Sequence, residues 1–366
     1  GWLKQQAHHT VRAAAFESIT SRQRTAAQRV ARERAASLGI GMMHELGGPD
    51  ISGRDDFAEL MTLARDESGP EVVGYWGEGG GATQALSLGA HGAAGDLFVD
   101  GAIGSRTALL RQPYTDNSTT GAQYLSAAEI RDHVAACSVE GVQAGFHVIG
   151  DGATDLVAAG FTEAVAKVGI EVVRGARHRL EHVEMVDATH LRLFAELGLV
   201  LSVQPVFDEL WGGDKGMYVS RLGRERANTL NPFAQMLDAG IVLAFGSDAP
   251  VTPLGPWAAV RAATQHQTRE HRISVDAAFD AHTRGGWLAA GFDAGGVLTI
   301  GAPANIAIWS VADSVITTAG ATTAGDRDRA ASSRPHASTL PALEPDAPLP
   351  ICLRTVVRGA TVFLRD

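Results

Sequence analysis

Short strand-like runs recur along this chain, most of them apolar, and most carry a charged residue, a histidine or a glycine at or near their end. The runs are GIGMMHEL (39–46), EVVGYW (71–76), GDLFVDGA (95–102), VQAGFHVIGDGA (142–153), RHRLEHVEM (177–185), GLVLSVQP (198–205) and GIVLAFGSD (240–248). A continuous run such as Ile241 to Phe245 predicts a strand buried on both faces, as in a parallel sheet. Between the runs the apolar spacing turns helical. It does so over 10–37, over 126–141 with Ser126 and Glu129 as a capping box, over 154–169, and over 187–198 between an Asp187 N-cap and a Gly198 stop. Strand alternating with helix predicts an α/β fold with a parallel sheet. Seven strands can be read, and eight would close a (β/α)₈ TIM-type barrel.

The pattern changes after residue 292. AGGVLTIGAPANIAIWS (294–310) reads as strand and turn, 317–350 as a long Ala/Thr/Ser/Pro-rich surface loop, and ICLRTVVRGATVFL (351–364) as two strands around Gly359. The expected organisation is a barrel over 1–293 and a small β-sandwich appendage over 294–366.

Composition narrows the function. The chain has 366 residues, 45% of them hydrophobic, and a net charge of −10. That is enough for one large core with an appendage. Without a basic stripe or aromatic-basic interleaving, nucleic acid is not an expected partner. No apolar run reaches the length of a membrane span, so no membrane partner is expected either. Two cysteines, Cys137 and Cys352, make no disulfide framework, which predicts a reducing, cytoplasmic setting. A homo-oligomer is left open.

Polar residues gather where the strands end: His44, Glu45, Asp96, Asp100, His147, His182 and Asp248. The carboxyl ends of parallel barrel strands open on one face, so these distant residues are expected to converge. Imidazole and carboxylate together suit a divalent cation, zinc foremost, and a carboxylate beside it can take a proton from water. Asp248 has a bland alternative as a helix N-cap, and His44 as a structural residue.

The stretches DLFVDGAIGSRTA, FHVIGDGATD, RHRLEHVEM and AFGSDAPV, in that order, resemble the metal-dependent amidohydrolase superfamily. They most resemble amidohydrolase family 3, the group that includes N-substituted formamide deformylase. The tail GGVLTIGAPANIAIW is similar to the β-sandwich beside the barrel in that superfamily. The resemblance implies a barrel holding one or two divalent metals, with water attacking a non-peptide C–N bond of a small amide. It implies that His147 and His182 are metal ligands and that Asp248 both binds metal and shuttles the proton.

Two departures from the family matter. Its first strand carries a His-x-His pair, and this chain has none; His8 and His9 are adjacent and sit in a helical context. The chain begins without Met, in what reads as the middle of a fold. The expectation is therefore a barrel lacking its first strand, binding at most one metal. Many relatives also carry a lysine where Asp96 stands, which makes Asp96 a candidate ligand here. Two further readings compete: a catalytically silent barrel, and a glycosidase-type barrel using Glu45 and Glu181.

Overall fold

In the computed structural model of the chain, residues 3, 6–312, 340–341 and 343–366 are described below. Seven parallel strands form one sheet in chain order: β1 (Met42–Gly47), β2 (Glu71–Trp76), β3 (Gly92–Ala93), β4 (Gln143–Val148), β5 (Arg179–His182), β6 (Val200–Val203) and β7 (Val242–Phe245). The sheet curls into a half-barrel with helices on its outer side, and β1 and β7 are its two edges. Every residue of β4, β5 and β6 is buried, the polar ones Gln143, His147, Arg179, Glu181, His182 and Ser202 included. The helices start where the sequence signals them. Ser126 and Glu129 form a capping box on Ala127–Glu140, and Asp187 caps Ala188–Glu196.

Two expectations need correction. The helical stretch 10–37 is two helices, Gln6–Glu17 and Ser21–Ser37, because Thr20 and Gln23 form a capping box that starts the second. The third strand is not 95–102. It lies earlier, at β3, and 95–102 touches the sheet only at an isolated bridge from Phe98 to His147. The cause is Asp100. Its buried carboxylate accepts backbone N–H groups from Leu109 (2.8 Å), Ile149 (3.0 Å) and Gly150 (2.8 Å), which folds the segment into a loop. Asp96, Phe98 and Asp100 therefore do not share one strand face.

The tail forms a separate antiparallel sheet of β8 (Ile306–Ser310), β9 (Ile351–Val357) and β10 (Ala360–Leu364), in the order β10-β9-β8. Thr355 Oγ1 donates to the Ala36 carbonyl (2.6 Å), and Arg358 pairs with Glu71 (2.8 Å), seating this sheet beside β1 and β2. Most of the Ala/Thr/Ser/Pro-rich stretch expected over 317–350 lies outside the described residues.

Inside the half-barrel lies a charge. Arg179 of β5 is 1% exposed. Its Nε donates to Glu181 Oε1 (2.6 Å), its Nη2 to Glu181 Oε2 (3.2 Å) and its Nη1 to His44 Nδ1 (3.0 Å). Its guanidinium carbon also stands 4.4 Å from the centre of the Tyr75 ring. His44 is thus a structural acceptor; burial, then Arg179, holds its pKa well below the ordinary value. Glu181 is fully engaged by Arg179, and Glu45 lies beside Asp56 with burial raising its pKa to about 7. Glu181 is therefore committed to a buried ion pair, and Glu45 has no such partner among the described residues.

Breaking the buried pair should be far worse than replacing it. Arg179→Met alone should destabilise the fold by about 3–5 kcal/mol, because Glu181 is left buried and uncompensated. Arg179→Met with Glu181→Leu should recover most of that loss in a urea-unfolding midpoint. Equal losses in the single and double variants would show that the pair is not the origin.

Candidate metal centre

Four sequence-predicted residues reach one cavity. His147 sits near the end of β4, His182 ends β5, Asp96 follows β3 and Asp248 follows β7. All four line a cavity of about 1930 Å³ at the carboxyl ends of the strands. The two imidazoles meet edge to face, with ring centres 4.4 Å apart. His147 is 8% and His182 4% exposed.

Each ring is oriented by a second contact. His182 Nδ1 lies 2.8 Å from Gln204 Oε1, and since that oxygen can only accept, Nδ1 donates. His147 Nε2 lies 3.4 Å from the Gly101 carbonyl and donates to it. This leaves His182 Nε2 and His147 Nδ1 as lone-pair nitrogens in the neutral rings. A metal-ligating histidine usually has this arrangement, with one nitrogen anchored and the other available. Gln204 was not foreseen from the sequence, although it directly follows the apolar run of β6, as the other site residues follow theirs.

The backbone is strained at the same place. His182 (φ 71°), Val183 (φ 49°) and Asp248 (φ 54°) are left-handed, which costs of order 1–3 kcal/mol each. Two bonds offset this at the β5 turn: Val183 N–H donates to the Val148 carbonyl (2.8 Å) and Met185 N–H to the Ile149 carbonyl (3.0 Å). Asp248 is not a helix N-cap, because the next helix, Pro256–Thr264, has Gly255 at that position. Its carboxylate makes no hydrogen bond among the described residues, so it is not spent on structure.

The electrostatics tie the group together. Burial raises Asp96 to about 7; the His182 charge opposes this, while Asp248 and Glu181 add to it. Burial raises Asp248 as well, again opposed by His182. A further carboxylate, Glu184, is pushed up to about 7 by burial. His147 is held well below its ordinary value by burial and then by His182. For His182, burial is the largest effect and lowers the pKa, but Asp248, Glu181 and Glu184 together outweigh it and the net shift is upward. Buried carboxylates here outnumber the positive charge available to them, and an imidazolium on His182 answers only part of the excess.

The donor set therefore fits a divalent cation in kind: two imidazole nitrogens and two carboxylates on one cavity. It is not closed around a point. Among the described residues no three His, Cys, Asp or Glu side chains already stand close enough together to hold an ion. Asp100 is committed to backbone N–H groups and does not join the set.

Known proteins resemble this chain in sequence and in fold. The chain is 31% identical over 169 residues to the "Putative amidohydrolase YtcJ" of Bacillus subtilis, covering 46% of this chain and 30% of that one. It is 26% identical over 215 residues to the N-substituted formamide deformylase of Arthrobacter pascens, covering 57% and 36%. The chain spans about a third of the length of these curated relatives. The fold superposes on an uncharacterized metal-dependent hydrolase from Pyrococcus furiosus with a TM-score of 0.68 and 26% identity, covering 82% of this chain and 63% of that one. Solved structures at lower identity, among them an amidohydrolase from a Sargasso Sea sample at 17% and a TM-score of 0.55, share the fold. With the model of the amidohydrolase family matching residues 1–363, the chain belongs to that family.

Proposed function

We propose that this chain carries the catalytic centre of a divalent-metal-dependent hydrolase that cleaves a non-peptide C–N bond in a small amide. The observation that carries this reading is the His147–His182 pair, 4.4 Å apart at the floor of a cavity that Asp96 and Asp248 also line. The N-substituted formamide deformylase relative supports a formamide-like bond as the first substrate class to try.

His147 and His182 would hold the ion, zinc being the best match to two imidazoles, with Asp96 and Asp248 supplying oxygen. The bound cation would supply Lewis-acid polarisation and make water a better nucleophile near neutral pH. Asp248 would take the proton from the attacking water and return it to the leaving nitrogen, a role its half-buried, unspent carboxylate supports. Gln204 fixes the His182 ring so that Nε2 faces the cavity.

Two measurements test this reading. Protein stripped with chelator and titrated with Zn²⁺ should bind it by calorimetry. Gln204→Leu should weaken that binding by about 10- to 100-fold, the usual cost of losing a contact that orients a ligand. Undiminished affinity in a His147→Ala/His182→Ala double variant would place the ion elsewhere.

In the zinc-loaded protein, Asp248→Asn should lower turnover of a chromogenic formanilide by about 10²–10⁴. Its unfolding midpoint should move little, because Asn keeps the shape but cannot accept the proton. Unchanged turnover would reject Asp248 as the proton carrier.

A further inference from the structure

A row of rings leads away from the metal centre. His182 stacks on Phe207 (5.9 Å between centres, 14°), Phe207 meets Trp211 (4.6 Å, 46°), and Trp211 meets Tyr218 nearly edge-on (6.3 Å, 80°). All four rings line the same cavity. The sequence builds the row simply. Pro205 opens the helix Pro205–Trp211, and Phe207 and Trp211, four residues apart, fall on one face of it.

The members differ in exposure. Phe207 and Tyr218 are 3% and 1% exposed, whereas Trp211 is half-buried. Tyr218 is pinned by its hydroxyl, which donates to Glu184 Oε2 at 2.5 Å. The backbone N–H of Asn231 in turn donates to the Glu184 carbonyl (2.9 Å), closing the segment that carries Tyr218 onto the turn after His182. Filling the core does not require a hydroxyl fixed by a buried carboxylate. The arrangement instead fixes a tyrosine edge against an indole whose own surface meets the cavity. Met217, also half-buried, extends this apolar wall.

We propose that Trp211 determines specificity, stacking on a flat aromatic substituent of the amide substrate, and that Phe207 and Tyr218 are positioning residues for it. This rests on the amide-hydrolase reading of the site. An aromatic ring is favoured over an aliphatic one of equal size because offset and edge-to-face ring pairs add to simple area burial. The buried carboxylates Asp96, Asp248 and Glu184 beside the wall disfavour an anionic substituent.

The test is binding of simple amides by calorimetry, in both chelator-stripped and zinc-loaded protein. Acetanilide and N-methylbenzamide place a phenyl ring on either side of the amide; N-cyclohexylacetamide and N-cyclohexylcarbonyl-methylamine are their saturated counterparts. At least one phenyl probe should bind about three- to tenfold tighter than its saturated counterpart. Trp211→Ala should abolish that preference and Trp211→Phe should retain part of it. Tyr218→Phe, which removes only the hydroxyl, should reduce the preference, and Glu184→Gln, which still offers an accepting oxygen, should keep it. Equal binding of phenyl and cyclohexyl probes to the wild-type chain would overturn the proposal, as would a preference unchanged in Trp211→Ala. Because the titration reads binding and not turnover, a failure of hydrolysis with the ring preference intact would count against the hydrolase reading alone.

Discussion

A guanidinium sealed inside the half-barrel is the constraint on which the rest of the structure depends. Arg179 has no solvent to turn to, so its surroundings must supply every partner: Glu181, His44 and the face of Tyr75. These come from β5, β1 and β2 respectively, so one buried charge ties β5 to the edge pair β1 and β2 across the interior of the curled sheet. Space for it is also reserved. Gly145 of β4 stands opposite Arg179, and a Cβ there would come within 2.8 Å of the Arg179 Cγ. Side chains alternate along a strand, so Glu181 shares the face of Arg179. His182, which alternation alone would turn to the other face, lines the same cavity, and its backbone there is left-handed (φ 71°). The layer that neutralises a charge is thus followed directly by a histidine of the cavity.

Above that layer the balance of charge reverses. Asp96, Asp248 and Glu184 lose hydration on burial and are pushed toward neutrality, while His182 is drawn toward its charged form, against burial, by Asp248, Glu181 and Glu184. Stability alone would have favoured apolar residues at these positions. The left-handed backbone at His182, Val183 and Asp248 adds to the cost. Unrelieved desolvation and strain, both concentrated at one end of one cavity, are what a functional site looks like when its counter-charge is a ligand.

Much of this was legible in the sequence, and the rest was hidden for identifiable reasons. Six of the seven strands lie where the runs placed them; five of these are largely apolar, and β5, with Arg179, Glu181 and His182, is the exception. His147, His182 and Asp248 were legible because each directly follows or ends such a run. The third strand was misplaced because DLFVDG alternates as a strand should, and nothing local reveals that the Asp100 carboxylate captures N–H groups from Leu109, Ile149 and Gly150. Gln204 and Glu184 were missed because their roles are relational. Gln204 matters only for the ring it orients, and Glu184 only for the tyrosine thirty-four residues away that it holds. The short helices after β6 were missed because Gly212, Gly213, Gly216 and Gly223 break any long helical period.

The size of the cavity bears on which part of it recognises a substrate. At about 1930 Å³ it exceeds the ~300–1,000 Å³ usual for small-molecule sites. The excess has a structural origin: residues of both edge strands, such as Met42 of β1 and Phe245 of β7, line it, so the space at the strand ends runs on between the edges of the curled sheet. The small amide proposed as substrate could not be held by a volume of that size. It can be held where polar anchors and a fixed apolar surface meet, and among the described residues that happens where His182 stacks on Phe207. On one side are the imidazoles and carboxylates; on the other is the wall that ends in Trp211 and Tyr218. Glu184 belongs to both, since its carboxylate adds to the charge around His182 while its Oε2 fixes Tyr218. The proposed metal centre and the proposed recognition wall are therefore joined at one turn, Val183 to Met185, through the backbone of His182 on one side and the Glu184 carboxylate on the other.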